Sequence, residues 1–136
     1  VTRRSAAVVL LAGYLVAVAL AVTAAARAGD GYPGDARQVV NAIAAEFGAG
    51  PLGACFWKIA ARETGGTFNP RAANWHDRHA DGSRGSFGAL QIGALWRRHG
   101  ETVAHFARRM FDPAANARLA RRLYERFGLA PWGGSC

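Results

Sequence analysis

The stretch Ile59-Ala60-Ala61-Arg62-Glu63-Thr64-Gly65-Gly66-Thr67-Phe68-Asn69-Pro70 constrains this chain more than any other. An apolar helical run carries one carboxylate into its last turn. Two glycines break the helix, and Asn69-Pro70 sets the exit. Counting back from Glu63 by fours reaches Ile59 and Cys55, with Phe56 and Ala60 beside them. Glu63 therefore falls on the apolar face of its helix. A carboxylate there is costly unless it is paired, neutralised or used. Partial burial favours the protonated form, which suits a general acid near neutral pH. The alternative is a helix-end glutamate that turns back to solvent or pairs with Arg62 or Arg71.

The beginning of the chain has a different character. Arg3 and Arg4 precede an uncharged apolar stretch from Ala6 to Ala26. Ala24-Ala25-Ala26 and Ala26-Arg27-Ala28 both fit a small-x-small cleavage site, so residues 1–28 read as a secretory signal peptide. Residues 6–26 are also long enough to span a bilayer as an uncleaved N-terminal anchor. Either way the two arginines stay cytoplasmic and the remainder is exported, as a secreted, wall-associated or anchored domain.

Formal net charge is +8 over 136 residues. Cutting before Gly29 removes Arg3, Arg4 and Arg27 and leaves 14 basic against 9 acidic residues. An exported basic domain suits an acidic polymer such as a cell wall, although arginine on helix faces also serves solubility alone. The arginines are spread over several helices without a nucleic-acid motif, so no nucleic-acid partner is expected. Cys55 and Cys136, an even pair in an exported chain, read as a disulfide. It would tie the Glu63 helix to the last residue, and closing so long a loop stabilises by roughly 4 kcal/mol on the chain-entropy model. No Cys/His spacing resembles a zinc site, and neither a metal nor a cofactor is expected.

Residues 29–34 read as a linker and 35–136 as one domain. Asp35 and Gln38 give a capping-box signal, followed by Val39, Val40, Ile43, Ala44 and Phe47 at helical spacing up to Gly48. The second helix runs from near Leu52 to Thr64. Asn69 to Arg84 is polar and reads as a loop, with a short hairpin at Asp81-Gly82. A calcium loop from Asp77, His79 and Asp81 fails because Gly88 stands where the closing Glu belongs. His76 and His79 read as solvated residues of that loop.

Gly85-Ser86-Phe87-Gly88-Ala89-Leu90-Gln91-Ile92 has two readings. A helix is expected to begin here in both: the glycines allow close backbone approach to a ligand beside Gln91, or Ser86 merely caps that helix and Gln91 is exposed. Thr102 to Met110 is amphipathic, with Val103, Phe106 and Met110 inward. Asp112-Pro113 opens a last helix that turns Asn116, Ala120, Leu123, Tyr124 and Phe127 inward until Gly128. Buried Asn and Tyr there need partners. Residues 129–136 read as an extended tail. The exported part is expected to be nearly all helix and loop.

Three motifs then agree in order. Arg62-Glu63-Thr64-Gly65-Gly66-Thr67-Phe68-Asn69-Pro70 resembles the Glu-Ser-Gly-x-x-Asn-Pro motif of soluble lytic transglycosylase domains. Gly85-Ser86-Phe87-Gly88-Ala89-Leu90-Gln91-Ile92 resembles their Gly-x-x-Gly-Leu-Met-Gln-Ile motif. Asp112-Pro113-Ala114-Ala115-Asn116 with Tyr124 is similar to their Asp-Pro-x-x-Asn helix ending in Tyr. The closing Pro131-Trp132 and Cys136 are similar to compact secreted lysozyme-like members.

The resemblance implies a mainly α, lysozyme-like fold with two lobes and a substrate cleft. It implies a monomer acting on peptidoglycan glycan strands without a cofactor, with Glu63 as the catalytic acid. Thr64, Ser86, Gly88, Gln91, Asn116 and Tyr124 are the implied substrate-side residues, Tyr124 lying near Glu63 to orient it. Thr64 replaces the usual Ser but keeps the hydroxyl, and Ala89-Leu90 replaces Leu-Met. The Ala-Tyr-Asn motif of full-length transglycosylases is not visible. Asp77 or Asp81 is the candidate second carboxylate for a hydrolytic lysozyme. A lysozyme-like module that holds glycan without cutting it is the third reading.

Overall fold

The computed structural model describes residues 34–136. The expected signal peptide or anchor, and all but the last residue of the expected linker, lie outside them. Among the described residues there are four α-helices and one three-stranded antiparallel sheet: α1 Gly34–Phe47, α2 Pro51–Glu63, β1 Ala73–Arg78, β2 Arg84–Phe87, β3 Ile92–Gly93, α3 Val103–Met110 and α4 Pro113–Phe127. Single 3-10 turns occupy Ala94–Trp96 and Ala130–Trp132. The fold is mixed, with helix predominant. No helix of the described residues is long and apolar enough to cross a membrane.

The helices form where the apolar spacing places them. α1 buries Val39, Val40, Ile43 and Phe47. It begins at Gly34, so the linker gives up that residue and Asp35 lies inside the first turn. α2 starts on Pro51, whose missing N–H costs nothing at a first position, and buries Cys55, Phe56, Ile59 and Ala60. α3 is capped by Thr102, which accepts the His105 N–H, and α4 by Asp112, which accepts the Ala114 N–H.

α1 packs on α2 and α4, and α3 on α4 and β2. Phe56 is the hub of the helical core. It stacks on Phe47 with ring centroids 3.8 Å apart and takes Tyr124 and Trp132 edge-on at 5.6 and 5.0 Å. Phe127 departs from its expected inward place: it is 39 % exposed and lies against Trp96.

The sheet corrects the expectation of helix and loop alone. β1 pairs with β2 (Asn74 opposite Ser86, Arg78 opposite Arg84), and β2 pairs with β3 (Phe87 opposite Ile92). The hairpin turn does fall at Asp81-Gly82, where the Asp81 carboxylate accepts the Ser83 N–H and hydroxyl. β1 escaped the sequence reading because it is exposed at five of six positions, so no apolar alternation marks it. It is held by its pairing with β2.

The helix expected after Ser86 is also absent. Phe87 leads into a turn, closed by the Gln91 N–H on the Gly88 carbonyl, and the chain re-enters the sheet at Ile92. Nor is the C-terminal segment extended. It coils through the 130–132 turn, its indole buried, and ends on a Cys55–Cys136 disulfide. Such a pairing fits an oxidising compartment.

Candidate active site

A cleft of about 360 Å³ runs between the end of α2, the sheet and the C-terminal turn. Its polar wall includes Glu63, Asn74, Asp77, His79, Ser86 and Gln91. Its apolar wall includes Leu95, Trp96, Leu123 and Trp132. Four of the residues singled out in the sequence (Glu63, Ser86, Gln91 and Asp77) thus share one cavity, although up to 28 positions separate them.

Glu63 ends α2 with its side chain 28 % exposed. Its carboxylate has a partner: the Arg62 guanidinium donates to Oε1 from both Nε (3.1 Å) and Nη2 (3.0 Å). Of the two arginines considered as partners, Arg62 makes the contact. Both of these bonds fall on Oε1, so Oε2 takes no part in the Arg62 pairing.

Gln91 sits in the left-handed region at φ 44°, unusual for a residue with a side chain. Three other elements hold it there. The Leu90 N–H donates to Asn116 Oδ1 at 3.0 Å, and the Leu90 carbonyl accepts the Trp132 indole N–H at 2.9 Å. The Gln91 amide nitrogen donates to the Ala72 and Gly88 carbonyls at 3.0 and 2.9 Å. Both amide hydrogens are therefore engaged, and Gln91 offers a ligand its Oε1 acceptor.

Ser86 is 4 % exposed, and its hydroxyl donates to Asp77 Oδ2. His79 Nε2 donates to the Gly85 carbonyl at 2.9 Å, so that nitrogen carries a proton. Asp77 lines the cleft; Asp81 does not. Asp81 caps the hairpin turn, where the Ser83 hydroxyl and N–H, then Arg97, lower its pKa.

Three expected substrate contacts turn out to be internal. The Thr64 hydroxyl donates to the Ala60 carbonyl at 2.7 Å and accepts the Phe68 N–H at 2.9 Å, tying the end of α2 to the residue at φ 51° beyond the glycines. Asn116 is 2 % exposed, and its amide donates to the Phe87 carbonyl at 3.2 Å while its oxygen takes Leu90. Gly88 faces inward, where any side chain would collide with the Asn116 amide and the Met110 carbonyl. Its freedom from a Cβ is required by this packing. Tyr124 packs edge-on against Phe56, and no hydrogen bond joins it to Glu63 among the described residues.

Asn74, Trp96 and Trp132 line the cleft without having been singled out for the site. Only Trp132 carried a signal, in the closing Pro131-Trp132. No family model, curated protein or solved structure matches this chain. Any function therefore rests on the cleft and its motifs alone.

Proposed function

We propose that this chain cleaves the β-1,4 bond between N-acetylmuramic acid and N-acetylglucosamine in peptidoglycan, as an exported lytic transglycosylase of lysozyme-like, two-lobed fold. The observation that carries the reading is Glu63 lining one cleft with Gln91 and Ser86, in the motif order that suggested it. The half-buried Trp96 indole in the cleft lining suits the apolar face of a pyranose ring.

In this reading Glu63 gives its proton to the glycosidic oxygen as the bond to the muramic C1 breaks. The substrate's N-acetyl oxygen shields C1. The carboxylate then takes the proton of the sugar's own 6-hydroxyl as that oxygen closes on C1, giving a 1,6-anhydro end. Gln91 Oε1 accepts a hydrogen bond from the bound sugar. The reaction needs no metal or cofactor.

A second reading, hydrolysis, is favoured by one observation: Asp77 lines the same cleft and could orient a water. Mass spectrometry of sugars released from purified peptidoglycan separates the two. Anhydro-muramic ends support the transglycosylase, and reducing muramic ends the lysozyme. Glu63→Gln should abolish release in either case while leaving the fold intact. Full activity in that variant overturns both readings. Folded, oxidised protein that pellets with cell wall and releases nothing is a glycan-binding module.

A further inference from the structure

Arg62 makes more contacts than its neighbour needs. Besides the two bonds to Glu63 Oε1, Nη2 donates to the Trp132 carbonyl at 3.0 Å and Nη1 reaches the Ser135 carbonyl at 3.4 Å. The guanidinium thus bridges the α2 carboxylate and the C-terminal tail, some 70 positions away. An ion pair whose side chains are 42 % and 28 % exposed would ordinarily fix little. Here the guanidinium is also tied to two backbone carbonyls, Nη2 dividing its hydrogens between Glu63 and Trp132 and Nη1 reaching Ser135, so its plane is held by more than the carboxylate.

Those carbonyls are themselves held. Trp132 is 6 % exposed, and its indole is bonded to Leu90 and packed on Phe56. Ser135 directly precedes Cys136, the last residue, which is bonded to Cys55 two turns before Glu63 on the same helix. The chain of contacts is closed: Cys55 to Cys136, the tail carbonyls to Arg62, Arg62 to Glu63.

We propose that Arg62 is the positioning residue for Glu63, and that the Cys55–Cys136 disulfide sets its position by holding the tail carbonyls, making the activity dependent on the oxidised pair. The inference rests on the reading of Glu63 as the acid. Arg62 touches no reacting atom. By engaging Oε1 twice it settles the carboxylate's rotation, so that Oε2 is the oxygen that meets the glycosidic bond. Reducing the disulfide removes the covalent hold next to Ser135 and loosens that anchor, while the Trp132 carbonyl stays near its place because the indole is buried. Reduction should therefore weaken the bridge, and loss of Arg62 should remove it. Lysine cannot substitute, since a single ammonium does not present a planar fork to a carboxylate and two carbonyls at once.

The test uses the full chain and soluble, peptide-free glycan strands, with kcat and KM measured separately for wild type, Arg62→Gln, Arg62→Lys and Glu63→Gln, each oxidised and reduced. Removing hydrogen bonds to a charged group predicts a fall in kcat of about tenfold or more for Arg62→Gln, with KM little changed. Arg62→Lys should recover little. Reduction should lower the wild-type kcat but not lower Arg62→Gln further, because the two changes break one contact chain. Wild-type kcat in Arg62→Gln, or an equal loss on reduction in both proteins, overturns the inference. Arg62→Gln keeps the disulfide, so its result does not depend on whether the reduced protein folds.

A second arm needs no turnover. In nitrogen-detected NMR the Arg62 Nε–H should exchange with water about tenfold more slowly in oxidised than in reduced protein. Exchange at the solvent rate in the oxidised protein overturns the bridge. Sugar release by Glu63→Gln at the wild-type rate instead overturns the glycosidase reading, and leaves the exchange measurement to decide the bridge.

Discussion

Asn116 on α4 accepts the Leu90 N–H at 3.0 Å, so a buried amide 26 positions downstream fixes the turn that presents Gln91. The same amide donates to the Phe87 carbonyl. Replacing Asn116 by Ala leaves two buried backbone groups unpaired and should cost about 2–4 kcal/mol, read as a lowered thermal midpoint. Gly88→Ala drives a methyl into that amide from a backbone at φ 80° and should also destabilise. Because both changes act on one contact, Gly88→Ala should cost less in the Asn116→Ala background, and a double-mutant cycle checks this. Additive losses would contradict the shared contact.

Glu101 provides the pH dependence. Its side chain is 6 % exposed and takes Arg109 Nε and Nη2 at 3.0 and 2.8 Å, and the Arg98 N–H at 2.9 Å. The Arg109 hydrogen bonds, strengthened by the Arg98 N–H and opposed by desolvation, lower its pKa from 4.5 to about 2. The folded state thus binds the proton less readily than the unfolded chain. The stabilisation is present in full above the unfolded pKa and is lost as pH falls from about 5 toward 2. It amounts to at most about 3 kcal/mol. Urea denaturation at pH 6 and pH 3 should show the fall, and Glu101→Gln should flatten it.

Asp77 and Asp81 should separate cleanly. Asp77→Asn changes a carboxylate inside the cleft and disturbs its bond with Ser86, so it should alter the rate or product ratio of glycan cleavage. Asp81→Asn alters an exposed turn outside the cleft and should leave cleavage unchanged. A product ratio that responds to Asp81 and not to Asp77 would reverse this assignment.

Thr64 tests whether its hydroxyl serves the fold. Thr64→Ser keeps both hydrogen bonds and should stay within about 1 kcal/mol of wild type, whereas Thr64→Val, of equal shape, leaves the Phe68 N–H without the hydroxyl and should cost about 1–3 kcal/mol. Denaturation midpoints decide it. Equal stability of the Val variant would show that the hydroxyl contributes nothing there.

The sequence was most legible where local rules act alone. Helical periodicity placed α1, α2, α3 and α4 to within a residue or two, and Asp112-Pro113 marked the start of α4. The pairing of Cys55 with Cys136 followed from their number. The motifs picked out Glu63, Ser86 and Gln91, which the fold gathers around one cleft with Asp77, one of the two aspartates considered as a second carboxylate. β1 was not legible, because an exposed strand carries no apolar alternation and exists only through its partner.

Side-chain direction was beyond the sequence. A motif position says that a hydroxyl, an amide or a missing Cβ is wanted, but not on which side of the chain it is used. Thr64, Gly88 and Asn116 all satisfied their motifs, yet each faces inward to hold the turns that carry Glu63 and Gln91. The sequence by itself determined the four α-helices that form, the disulfide and the carboxylate at the end of α2, although it also suggested a helix after Ser86 that the structure lacks. Only the tertiary structure decided which polar groups were left for a ligand. Buried backbone groups must find partners, and here side chains distant in sequence meet that need before any substrate can use them.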